Sequence, residues 1–156
     1  MFSGEKTYLV SPFELKKWGQ AQIVEQVNEI INRYDSSADT MYEMAKQVDL
    51  LSDLLYLYGE MIARLTENHE LIKIRNDNKE NKEVYRQRSN WTSVSKEKAP
   101  AMSYFEALAS EIVEKDRQEE AELKADLTRF KKAYESIETK QNAIKKKMDA
   151  VKFESL

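Results

Sequence analysis

Apolar residues along this chain fall on two long seams of helical period. Met44, Val48, Leu51, Leu55, Tyr58, Ile62, Leu65, His69 and Ile72 alternate by four and three, the spacing that keeps one stripe of an α-helix facing a partner helix. A second ridge, Leu50, Leu54, Leu57 and Met61, runs beside it. Together they are wider than a two-stranded coiled coil needs, so more than one partner helix is expected to pack there. The other seam is Leu123, Leu127, Phe130, Tyr134, Ile137, Gln141, Ile144, Met148 and Val151. Upstream of it, Met102, Phe105, Ala109, Ile112, Asp116 and Glu119 keep heptad spacing in a different register, and the two registers meet at Leu123 through consecutive steps of four. Such a stutter locally unwinds a supercoil. With Asp116 and Glu119 on the seam, the middle of this helix is expected to be its least tightly packed part.

Boundaries follow from capping chemistry. Ser11-Pro12-Phe13-Glu14 offers an N-cap serine, a proline at the first helical position and a glutamate at the third, so a helix starts there. It carries Leu15, Trp18, Val27, Ile30, Ile31 and Tyr34, and Gly19, which costs about 1 kcal/mol against alanine inside a helix, marks a possible break near Trp18-Gly19. Asp35-Ser36-Ser37-Ala38-Asp39 stops one helix and caps the next, because short oxygen-bearing side chains satisfy free backbone amides. The second helix is expected from about residue 38 to the neighbourhood of Arg88. Residues 89–100 combine poor helix formers and end at Pro100, and read as a turn.

The prediction is therefore a single all-α domain. It has an N-terminal helical segment over 1–35, a long helix over 36–88, a turn over 89–100 and a returning helix over 101–154. The last two helices form an antiparallel hairpin with arms on the order of 70 Å at 1.5 Å per residue. Leu51, Leu55, Tyr58, Ile62, Leu127, Phe130, Ile137 and Ile144 are the expected oligomer interface of a coiled-coil-like assembly.

Composition narrows the chemistry. The 156 residues are 41% hydrophobic and 34% charged, as suits one helical domain with narrow seams. Three glycines and two prolines are too few for a many-turned sheet fold. The absence of cysteine removes disulfide and thiolate chemistry. No apolar run approaches the roughly 20 residues of a membrane helix and no signal-peptide core opens the chain, so a cytoplasmic protein is expected. The net charge of −3 speaks against a general polyanion binder. The charge is segregated, however: eight basic against five acidic residues over 70–98, five lysines against Asp149 over 140–152, and seven acidic against three basic residues over 111–126. A uniformly solvated surface would not require that.

Catalysis finds little support. His69 is the only histidine, and at a seam position without metal-type neighbours it reads as a packing residue. A helical metal site of glutamates would want a Glu-x-x-His pair, and neither a phosphate loop nor a nucleophile elbow is present. No enzyme, metal or cofactor is expected.

What remains is binding. Lys73, Arg75, Lys79, Lys82, Arg86 and Arg88 interleave with Tyr85 and Trp91, and single-stranded nucleic acid needs this pairing of cations for phosphates with flat rings for exposed bases. The alternative is a solvated helix end, in which Glu80, Glu83 and their basic neighbours make ordinary intrahelical pairs.

Lys73-Ile74-Arg75-Asn76-Asp77, near the end of a long helix, resembles the Lys-x-Arg-x-Asp element of the UvsY recombination mediators of tailed phages. Ala143-Ile144-Lys145, with Asp149 and Phe153-Glu154 after it, is similar to that family's closing helix. The resemblance covers about residues 36–154. The chain departs from the family at Asn78-Lys79, where the family carries a tyrosine pair. The resemblance implies a multimeric single-stranded DNA-binding protein that contacts DNA through Lys73 and Arg75 and helps a RecA-like recombinase replace single-strand-binding protein. The competing reading is a coiled-coil scaffold, chaperone or inhibitor that binds another protein and no nucleic acid.

Overall fold

A computed structural model describes residues 10–94 and 97–156. Residues 1–9 of the predicted N-terminal segment 1–35, and Ser95 and Lys96 of the predicted turn, lie outside the described residues. The described chain is all-α: α1 (Pro12–Lys17), α2 (Gln20–Arg33), α3 (Met41–Val94), α4 (Met102–Ile112) and α5 (Glu114–Glu154). No described helix is long and apolar enough to cross a membrane. Contacts divide the chain into two compact units, one of residues 1–63 with 129–156 and one of residues 64–128.

The first unit is built on the start of α3. Ser11 Oγ accepts from Glu14 N at 3.2 Å and opens α1, which stops at Trp18, and Gly19 is the N-cap of α2. At the other end of α2, Asp35 Oδ1 accepts from the Ser37 amide at 2.9 Å and its hydroxyl at 2.6 Å, an Asx turn that holds the Asp35 carboxyl below its usual range. Helix α3 then begins later than residue 38, because Thr40 and Glu43 form the capping box. Glu43 N donates to Thr40 Oγ1 at 3.2 Å, and Thr40 N donates to Glu43 Oε2 at 3.4 Å.

Burial separates the two ridges, although Met44 and Leu51 of the first seam are buried as well. Leu50, Leu54, Leu57 and Met61, with Leu51, form the buried core against Leu15, Ile23 and Ile30 of α1 and α2. Val48, Leu55, Tyr58 and Ile62 of the main seam are only half-buried. The short helices pack on one side of the apolar face, and α5 meets it with Phe130, Ile137 and Ile144 together with polar groups. Tyr58 stands edge-on to Phe130 with ring centroids 5.7 Å apart. Gln141, itself buried, donates to the Val48 carbonyl at 3.0 Å and to Ser52 Oγ at 2.5 Å. The partner helices demanded by the wide apolar face are thus found within the chain.

The second unit is an antiparallel pairing of the rest of α3 with α4 and the start of α5. Helix α3 continues to Val94, past the end expected near Arg88. Trp91 explains the extension: it is half-buried and packs edge-on to Tyr104 of α4, ring centroids 6.4 Å apart. The returning helix is two helices. Val113 joins them with φ −95° and ψ 8°, and Val113 is fully buried while Ile112 is 44% exposed. The buried series Phe105, Ala109, Val113 therefore moves in steps of four before Arg117, so the register shifts at Val113, upstream of the step at Leu123. A polar layer follows it, and between Val113 and Leu127 no residue of α5 is fully buried.

Candidate nucleic-acid interface and the polar layer

Asn76 sits where the α3 seam meets α5. Its side chain is completely buried, and Nδ2 donates to the Asp116 carbonyl at 2.9 Å and to Glu120 Oε2 at 3.2 Å. Around it Arg117 bridges three carboxylates: Asp77 at 2.7 Å, Glu80 at 2.5 Å and Glu120 at 2.8 Å. These bonds hold the Arg117 guanidinium more firmly protonated, and Arg117 and Asn76 together lower the Glu120 carboxyl. Lys79 pairs with Asp116 at 2.5 Å and lowers its carboxyl as well. The acidic stretch over 111–126 is in part the counter-surface to the basic α3.

The structure sorts the predicted site residues into two groups. Arg75 faces Glu119 at 3.8 Å, Lys79 is bound to Asp116, and Arg86 pairs with Glu83 three residues back at 3.0 Å. Lys73, Lys82 and Arg88 are exposed, and among the described residues no ion pair engages them. Tyr85 is 68% exposed, with Lys82 one helical turn before it and Arg88 one turn after it, so all three share a face of α3. Leu71 and Ile74, also exposed, stand on that same face by their spacing of three and four. Trp91 does not belong to this group. It lies on helix, not in a turn, and its indole Nε1 is buried with no hydrogen-bond partner among the described residues.

The expected interface residues Leu51, Tyr58, Phe130, Ile137 and Ile144 pack in the core of the first unit. Leu55 lines a groove there with Leu15 and Tyr134, Ile62 is half-buried, and Leu127 is buried in the second unit. His69 is largely buried at its seam position, 3.8 Å from Glu70.

Sequence reading missed Asn76 and Arg117 as the centre of the second unit. One signal was available: Asn76 stands four residues after Ile72, where the heptad ladder would place its next core residue. No family model matches this chain, and no curated protein or solved structure matches it.

Proposed function

We propose that this protein binds single-stranded DNA through the Lys82, Tyr85 and Arg88 face of α3, with Lys73 as a further contact. By the resemblance to recombination mediators, it would serve there to load a RecA-like recombinase on strands coated with single-strand-binding protein. One observation carries the reading: an exposed aromatic ring flanked at one-turn spacing by two exposed cations with no ion-pair partner among the described residues. A base stacks on the ring while phosphates on either side meet the cations. Arg75, Lys79 and Arg86 are partly neutralised by their carboxylates, so each subunit contributes a weak patch. Self-association would multiply such patches by raising their effective concentration. Titration of a labelled single-stranded oligonucleotide at two salt concentrations, beside sedimentation of the free protein, tests this: binding that weakens with salt, by a multimer, is the expected result.

A second reading rests on Leu71 and Ile74, which share the exposed face with Tyr85. Two neighbouring exposed apolar side chains, Leu71 and Ile74, with Tyr85 further along the same face beyond Asn78 and Asn81, fit a helical protein partner. In that case the protein is a scaffold, chaperone or inhibitor, and the oligonucleotide stays free at low salt.

A further inference from the structure

A small cleft in the second unit lies beside the polar layer. It has a volume of about 270 Å³ and is lined by His69 and Lys73 of α3 and by Arg117, Glu120, Ala121 and Lys124 of α5. Clefts that take drug-sized ligands run from roughly 300 to 1,000 Å³, so this one suits a smaller group. Its only carboxylate, Glu120, already accepts from Arg117 and from Asn76. Arg117 in turn is shared among three carboxylates. Asp77 and Glu80 are not among the lining residues, so the lining itself carries Lys73, Arg117 and Lys124 against Glu120, with Lys73 on one helix and Lys124 on the other. Both are exposed, and among the described residues neither has an ion-pair partner. Two ammonium groups lining one concave site repel one another, and an anion held there offsets that repulsion. Ala121 carries nothing beyond its Cβ, which leaves the space between them open.

We propose that this cleft holds one phosphate group between Lys73 and Lys124. Lysine binds phosphate as a point charge, so two lysines on separate helices suffice to position one group without a bidentate fork. Resting on the DNA-binding reading above, the phosphate is a phosphodiester of the bound strand, and Lys124 is then a contact on the returning helix that the basic run of α3 does not contain. The same chemistry would also accept free inorganic phosphate.

The test uses the full chain with a labelled single-stranded oligonucleotide, and separately with inorganic phosphate followed by phosphorus NMR line width. Circular dichroism serves as the control for folding. Lys124→Ala should weaken oligonucleotide binding about tenfold at low salt and flatten the log–log salt dependence by about 0.7, one phosphate's worth. Lys124→Arg should restore both. Because the two lysines share one phosphate, Lys73→Ala with Lys124→Ala should flatten the slope by about 0.7 in total. A loss of about 1.4, one phosphate for each lysine, overturns the shared site. Oligonucleotide binding unchanged in Lys124→Ala also overturns it, while leaving the DNA reading in place. If wild type binds no oligonucleotide at low salt but broadens the phosphate signal, and Lys124→Ala abolishes the broadening, the cleft stands and the DNA reading fails. Neither probe bound by wild type overturns both.

Discussion

Asn76 and Asp116 are joined across two helices by a single hydrogen bond, from Asn76 Nδ2 to the Asp116 main-chain carbonyl at 2.9 Å. An amide in this place, where α3 would otherwise continue its apolar ladder, fixes the position of α5 through a directional bond instead of through packing alone. A buried asparagine on a helical seam sets register at some cost in stability. Here the cost is visible in its Oδ1, which is buried with no partner among the described residues.

Asn76→Ala removes that bond and also the bond to Glu120, and leaves a void. It should destabilise the protein by about 1–3 kcal/mol, read as a shift in the urea midpoint at unchanged slope. A midpoint equal to wild type would show that the polar layer does not hold the helices together.

Arg117→Met leaves Asp77, Glu80 and Glu120 facing one another without their shared cation. A partly exposed network is worth less than a fully buried one, so the expected loss at neutral pH is about 1–2 kcal/mol. The Glu120 carboxyl is lowered in the folded chain by Arg117. Its stabilisation is therefore present above its unfolded value and is lost as pH falls through the folded one. The wild-type advantage over Arg117→Met should shrink on acidification toward pH 4. Thermal midpoints of the two proteins across that range give the comparison, and a constant gap would contradict the account.

Asp53 behaves in the opposite sense. Only 6% exposed, with Oδ2 unpartnered among the described residues, its carboxyl is pushed up to about 7 by burial first and by Asp49 second, against the pull of Arg33 on α2. Between the unfolded value of about 3.9 and about 7, the folded chain holds a proton that the unfolded chain releases. Stability therefore falls as pH rises through that window and is level above it. Asp53→Asn should remove this component and stabilise the protein at pH 8 by a few kcal/mol, on the order of the shift itself. Parallel stability curves for the two proteins between pH 5 and 8 would exclude the effect.

Helical period and caps made most of the fold legible. Ser11 and Gly19 mark their helix ends in the sequence as they do in the structure, and the apolar face too wide for one partner did receive several. Ranking the two ridges was beyond periodicity, since which of Leu50 or Leu55 lies deeper depends on where α1 and α2 dock. Thr40 and Glu43 form a capping box that the Asp35–Asp39 oxygen-rich run outshone. Trp91 read as a turn residue because Ser, Asn and Thr surround it, yet its contact with Tyr104 carries the helix past them. The basic residues were visible, but the partners of Arg75 and Lys79 lie some forty positions away, and these pairings follow only from the antiparallel register. Asn76 looked like part of a charged motif, and its burial was hidden for the same reason.

The most direct measurement is fluorescence anisotropy of a labelled single-stranded oligonucleotide at low salt, with wild type beside Tyr85→Ala and beside Lys82→Glu with Arg88→Glu. All three positions are exposed, so helicity should be unchanged. The account predicts that wild type binds, that Tyr85→Ala loses roughly 1–3 kcal/mol of affinity as a stacked ring should, and that the double charge reversal abolishes binding. Wild-type binding left intact in both variants, or no wild-type binding at all, would contradict it.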